Sequence, residues 1–138
     1  MDMQILRTAA SLLILAVALP IQTARADEGP LPTQTYEGIS FVTGGVGLEE
    51  RDQINRIGRD YNLKLLFAER SGDYLGNVKV VVAKPAGKTV LEATADGPVL
   101  LARLPQGNYR VTVSADGKEQ VRTAQVPAHG QASMIFRW

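Results

Sequence analysis

From Leu63 onward, apolar residues alternate with polar ones in short segments, and turn-forming residues separate those segments every eight to twelve positions or so. Leu63, Leu65 and Phe67 alternate, as do Val78, Val80 and Val82, and Pro85-Ala86-Gly87 closes that second segment. Val90 and Leu91 lie in a return strand reaching Asp96-Gly97, a dipeptide favoured in tight hairpins because both positions accept positive φ. Val99 and Leu101 point one way in the next strand, and Leu104-Pro105-Gln106-Gly107 has the proline and glycine placement of a type I turn. Tyr109, Val111 and Val113 alternate after it. Asp116-Gly117 makes a further hairpin turn before Val121 and Thr123, and residues 127–131 turn the chain into Ala132, Met134, Phe136 and Trp138. A period of two buries one face of an extended segment and none of a helix. The expected fold is therefore mainly β, a seven-stranded antiparallel β-sandwich whose two sheets each bury one face.

The residues before Leu63 follow a different period. Residues 36–42 hold Ile39, Phe41 and Val42 and predict one strand running into the loop Gly44-Gly45-Val46-Gly47. Over residues 48–61, Ile54, Ile57 and Tyr61 fall three and four apart among charged residues, the one-stripe pattern of a surface helix that Leu48 extends at its start. Glu49 and Glu50 suit the positive end of its dipole, Asp52 can pair with Arg56 and Arg56 with Asp60, and Asn62 is a stop signal that tolerates the left-handed conformation. One narrow stripe cannot fold alone, so this N-terminal amphipathic helix is expected to pack on the sandwich.

The first 26 residues have the layout of a secretory signal peptide: Arg7, the apolar run 9–19, a break at Pro20 and the small-x-small exit Ala24-Arg25-Ala26. Cleavage is expected between Ala26 and Asp27, and the run is too short to be read as a membrane span. Residues 27–35, with two prolines and a glycine, predict a flexible linker. The chain has 15 Lys and Arg against 14 Asp and Glu, and loss of Arg7, Arg25 and Asp2 with the leader makes the remainder formally neutral. No positive field is left to draw it onto nucleic acid. With no cysteine, there is neither a disulfide framework nor a lipid-anchoring site, so stability in an oxidising compartment has to come from a core. The expected location is the periplasm, or beyond it by secretion.

The run Thr94-Ala95-Asp96-Gly97-Pro98-Val99-Leu100-Leu101-Ala102-Arg103-Leu104-Pro105-Gln106-Gly107-Asn108-Tyr109-Arg110-Val111 resembles the core of carboxypeptidase regulatory-like domains, which are similar to the prealbumin fold. Those domains tend to read T-D-x-x-G-x-F-x-F-x-x-L-P-x-G-x-Y-x-V. The resemblance spans roughly residues 75–138 and keeps the L-P-x-G-x-Y-x-V element intact, but Val99 and Leu101 stand at the two usual aromatic positions and the preceding turn is shorter. It implies a seven-stranded prealbumin-like sandwich with an accessory role and supplies no catalytic residues. Residues 36–74 lie outside it as an extension of strand, glycine loop, helix and strand. The complete layout resembles small secreted proteins of Gram-negative bacteria, a likeness that brings a location and no reaction.

Reactive chemistry has little to build on. His129 is the only histidine and sits in the turn Pro127-Ala128-His129-Gly130, so neither a zinc site nor a Ser-His-Asp triad is expected. The loop from Gly44 to Gly47 lacks the Gly-Lys-Ser/Thr of a nucleotide cradle, and Glu49 and Glu50 repel phosphate. Those two carboxylates also diverge by about 100° on a helix and make no catalytic pair. Asp73, Asp96 and Asp116 fit turns and show no calcium-loop spacing. Among Tyr36, Phe41, Tyr61, Tyr74 and Trp138, Tyr74 is the candidate for an exposed ring. The final alternation, Ala132 to Trp138, is similar to the closing strand of outer-membrane barrels, but the strands are too short for one and Arg103, Arg110 and Arg137 interrupt their outer faces.

The reading that follows is a non-enzymatic periplasmic interaction module with no cofactor and no metal, its partner an unknown envelope protein or glycan. A sheet edge, the end loops, or the helix with its glycine loop would do the holding. The alternative is a glycan-recognition accessory domain. Gly44, Gly45, Gly47 and Tyr74 are the candidate interaction surface.

Overall fold

The alternating segments do form strands. A computed structural model describes residues 30–138; the expected leader, its cleavage at Ala26 and Asp27 and the start of the linker lie outside the described residues. The chain runs β1 (Gln34–Tyr36), β2 (Ile39–Gly44), α1 (Gly47–Ile57), a 3-10 turn (Gly58–Asp60), β3 (Leu63–Ala68), β4 (Val78–Ala83), β5 (Thr89–Ala95), β6 (Val99–Ala102), β7 (Gly107–Ala115), β8 (Lys118–Val126) and β9 (Ala132–Arg137). The described residues are mainly β, with one short α-helix.

The described strands make two sheets, one of five in the order β1-β2-β6-β3-β9 and one of four in the order β5-β4-β7-β8. Both contribute to one apolar cluster: Leu63, Leu65 and Phe67 of β3 and Phe136 of β9 share it with Val80 and Val82 of β4 and Val111 and Val113 of β7. Each such side chain taken out of water contributes about 1.5–3 kcal/mol before the entropy cost of ordering the chain.

Four expectations are corrected. The described residues form nine strands, not seven. Residues 34–44, read as the end of a linker plus one strand, form a hairpin in which Glu37 (φ +44°) and Gly38 (φ +84°) both take the left-handed conformation that a two-residue turn requires. Pairing is not antiparallel throughout, because β3 and β9 run parallel, with Leu65 opposite Met134. Asp96-Gly97 closes no hairpin: β5 belongs to the four-stranded sheet and β6 to the five-stranded one, so this segment carries the chain between sheets, with neither residue at positive φ. Asp116 (φ +48°) and Gly117 (φ +75°) do turn β7 directly into β8.

The five-stranded sheet is covered on both faces. On its outer face Val42, Val99 and Leu101 form a second cluster under Ile54, with Ile57, Tyr61 and Leu66 packed around it. That explains why Val99, Leu100, Leu101 and Ala102 are all buried, since a strand enclosed on both sides has no polar face to alternate. Helix α1 ends at Ile57 and not at residue 61, so it lays Ile54 and Ile57 of the predicted stripe on the sheet, Tyr61 follows in extended conformation after the 3-10 turn, and Leu48 is exposed. The expected Asp52–Arg56 and Arg56–Asp60 ion pairs do not form among the described residues; Lys79 and Glu92 pair instead, at 3.7 Å. Asn62 does not take the left-handed conformation either. Its carboxamide clamps the chain, accepting from the Leu104 N–H at 2.8 Å and donating to the Leu104 carbonyl at 2.5 Å.

Candidate functional site

The glycine loop and the helix are held in place by side chains from distant segments. The backbone N–H of Leu31 donates to Gln53 Oε1 at 2.9 Å, so the end of the expected linker is fastened to α1. Gln131, before β9, donates to the carbonyls of Gly58 and Tyr61 at 2.8 and 3.0 Å and ties the segment after α1 to the approach to β9. At the other end, Arg51 Nε donates to the Gly45 carbonyl at 3.3 Å. These contacts fix the distance between α1 and the strand beneath its edge.

A cleft of about 240 Å³ opens between α1 and the outer face of the five-stranded sheet. Arg51, Ile54 and Asn55, three and four residues apart, share the helix face that forms one wall. Lys64 and Leu66, on the outward side of β3, form the facing wall, with Pro98 and Val99 beneath. Gly45 and Tyr74 complete the rim, and the Arg51 guanidinium lies 4.9 Å from the centroid of the Tyr74 ring, within cation–π range. Tyr74 is 50% exposed.

Two of the four candidate residues, Gly45 and Tyr74, thus meet in one cleft although 29 positions separate them in the chain. The other two do not line it. Gly44 is buried at the end of β2, where a Cβ would approach Glu50 Oε1 to 2.9 Å and Leu31 to 3.1 Å, and Gly47 starts α1 at φ +80° with open space around it. Their roles are close packing and backbone conformation. The sequence reading missed Arg51, Asn55 and Lys64. Lys64 alternates with three core residues, which marks its face, but nothing in the sequence places a helix above it.

Other residues weighed on sequence lie elsewhere. His129 is exposed in the turn before β9. Asp73 accepts from Ser71 Oγ at 3.2 Å within its own turn, and Asp96 accepts from Thr43 Oγ1 at 3.4 Å. Among the described residues, no three His, Cys, Asp or Glu side chains gather as metal ligands, and no helix is long and apolar enough to cross a membrane. Phe41 is in the core, Tyr61 packs under α1, and Trp138 leans on Phe67 and Phe136 with centroids 6.3 and 6.4 Å away. Tyr109 donates from its hydroxyl to the Pro105 carbonyl at 2.6 Å, and burial raises its phenol above the usual value. This bond ties β7 to the turn that precedes it.

Neither a scan against protein-family models nor a search of curated proteins finds a match to this chain.

Proposed function

We propose that this chain is a non-enzymatic interaction module of the periplasm, and that it holds its partner in the cleft between α1 and the five-stranded sheet. The observation that carries the reading is the convergence of Gly45, Arg51, Lys64 and Tyr74 on that cleft, with Arg51 braced between the Gly45 carbonyl and the Tyr74 ring. A side chain already held in place loses little freedom on binding. Export rests on the layout of residues 1–26. The finer fold assignment, a prealbumin-like sandwich of carboxypeptidase regulatory-like type, rests on the resemblance of the 94–111 run.

Strand addition at β9 is the weaker route to a partner. Arg122 Nη1 donates to the Ile135 carbonyl and Gln120 Nε2 to that of Arg137, both at 2.8 Å, so the acceptors an incoming strand needs are already engaged. Glycan recognition is supported by the half-exposed Tyr74 ring and the nearby Asn55 carboxamide, but Arg51 rather than a second ring accompanies Tyr74. Affinity capture with the tagged full chain from a Gram-negative envelope extract tests both readings. A retained protein lost with Tyr74→Ala and with Asn55→Ala, while circular dichroism is unchanged, supports the proposal, and retained carbohydrate lost in the same way supports the glycan reading. Equal retention by wild type and both variants rules out the cleft.

A further inference from the structure

The charges around the cleft are of one sign. Arg51 and Lys64 line it and no carboxylate does. Lys64 is half-buried beside Leu66 and has no ion-pair partner among the described residues, whose salt bridge lies between Lys79 and Glu92 on the other sheet. The Arg51 bond to Gly45 uses Nε, which leaves the terminal guanidinium nitrogens available above the Tyr74 ring. A half-buried lysine and a braced guanidinium that line one cleft, with no carboxylate among its lining residues, attract a compact anion more strongly than isolated exposed lysines do.

Apart from the Asn55 carboxamide and the Tyr74 hydroxyl, the other side chains that line the cleft are apolar. Leu66, Pro98, Val99 and Ile54 line the cleft, and Val46 and Leu48, which follow Gly45 in the chain, are 60% and 75% exposed. Water is the poorer occupant of such a wall and a hydrocarbon group the better one.

Building on the cleft's assignment as the recognition site, we infer that it binds a ligand presenting one carboxylate or phosphate next to an apolar body, the anion between Arg51 and Lys64 and the body against Leu66, Pro98 and Tyr74. The two anions share one chemistry, and the probes separate them.

The purified full chain is titrated with hexanoate, hexyl phosphate, hexanol and hexylammonium to about 1 mM, and amide shifts are followed by NMR. The anion that matches the site moves the amides of Gly45, Lys64, Leu66 and Tyr74, and the better of the two names the headgroup; hexylammonium leaves them in place. Lys64→Gln weakens that binding by about tenfold or more, Lys64→Arg retains it, and both keep the wild-type spectrum elsewhere. The inference is overturned if neither anion moves these amides, if hexanol or hexylammonium moves them as well as the anions do, or if Lys64→Gln binds like wild type. Failure here, with a captured partner still dependent on Tyr74, removes the anion assignment alone. Capture independent of Tyr74 and Asn55 removes the site itself.

Discussion

Two residues show how single positions hold this structure. Tyr109 is 3% exposed, and its hydroxyl satisfies the Pro105 carbonyl. Tyr109→Phe removes the donor and is expected to cost about 1–2 kcal/mol, read as a lower midpoint in urea unfolding. The same phenol gives a pH signature. Its raised folded pKa means that, above the unfolded value near 10, the folded state holds the proton longer, so its contribution is complete below about pH 10 and fades as pH rises toward the folded pKa. Part of the alkaline loss of stability should therefore disappear in Tyr109→Phe. Gly97 is constrained by space instead: a Cβ there would lie 2.5 Å from the Gly44 carbonyl oxygen and 2.6 Å from its carbon. Both are backbone atoms of β2 and cannot swing away, so Gly97→Ala is expected to cost about 3 kcal/mol, whereas Gly87→Ala, at a hairpin with no atom within 4 Å, pays only the strain of its positive φ.

Among the elements, β8 and β9 show how an open edge is managed. Arg122 and Gln120 stand opposite Val111 and Val113 in the register, so they are on the core-facing side of β8. There they reach the carbonyls of β9, and Arg122 also lies 5.2 Å from the Phe136 ring centroid. Inward-pointing polar residues at a sheet edge discourage pairing with another chain. Arg122→Ala should expose the Ile135 carbonyl and raise concentration-dependent association in light scattering above the wild-type level; unchanged scattering would contradict this role. The elements also show what a sequence can and cannot reveal. Strands β3, β4, β7 and β9 and the Ile54–Ile57–Tyr61 stripe are legible because a one-sided burial leaves a period, of two or near 3.6, in the residue order. The β1–β2 hairpin is not, because its turn uses Glu37 in place of asparagine or aspartate. Asp96-Gly97 misleads for the opposite reason: it has turn chemistry, yet the neighbouring strands pair in different sheets. Val99 to Ala102 lacks alternation because both faces are covered, and only the placement of α1 explains why.

At the scale of the molecule, the five-stranded sheet faces two ways: its inner side belongs to the core shared with the other sheet, and its outer side carries α1 and the cleft. The candidate cleft is half legible in the sequence. Gly45 and Tyr74 stand out by residue type, whereas Arg51 and Lys64 look like ordinary solvated charges until the fold brings them together without an acid between them. The central claim, that binding takes place in this cleft, is tested most directly by placing a photo-crosslinking residue at Asn55 in one strain and at Val121 in another, and irradiating growing cells. Asn55 lines the cleft, and Val121 is exposed on the other sheet. The account predicts a discrete adduct at Asn55 and none at Val121; no adduct at Asn55, or the same adduct at both, would contradict it.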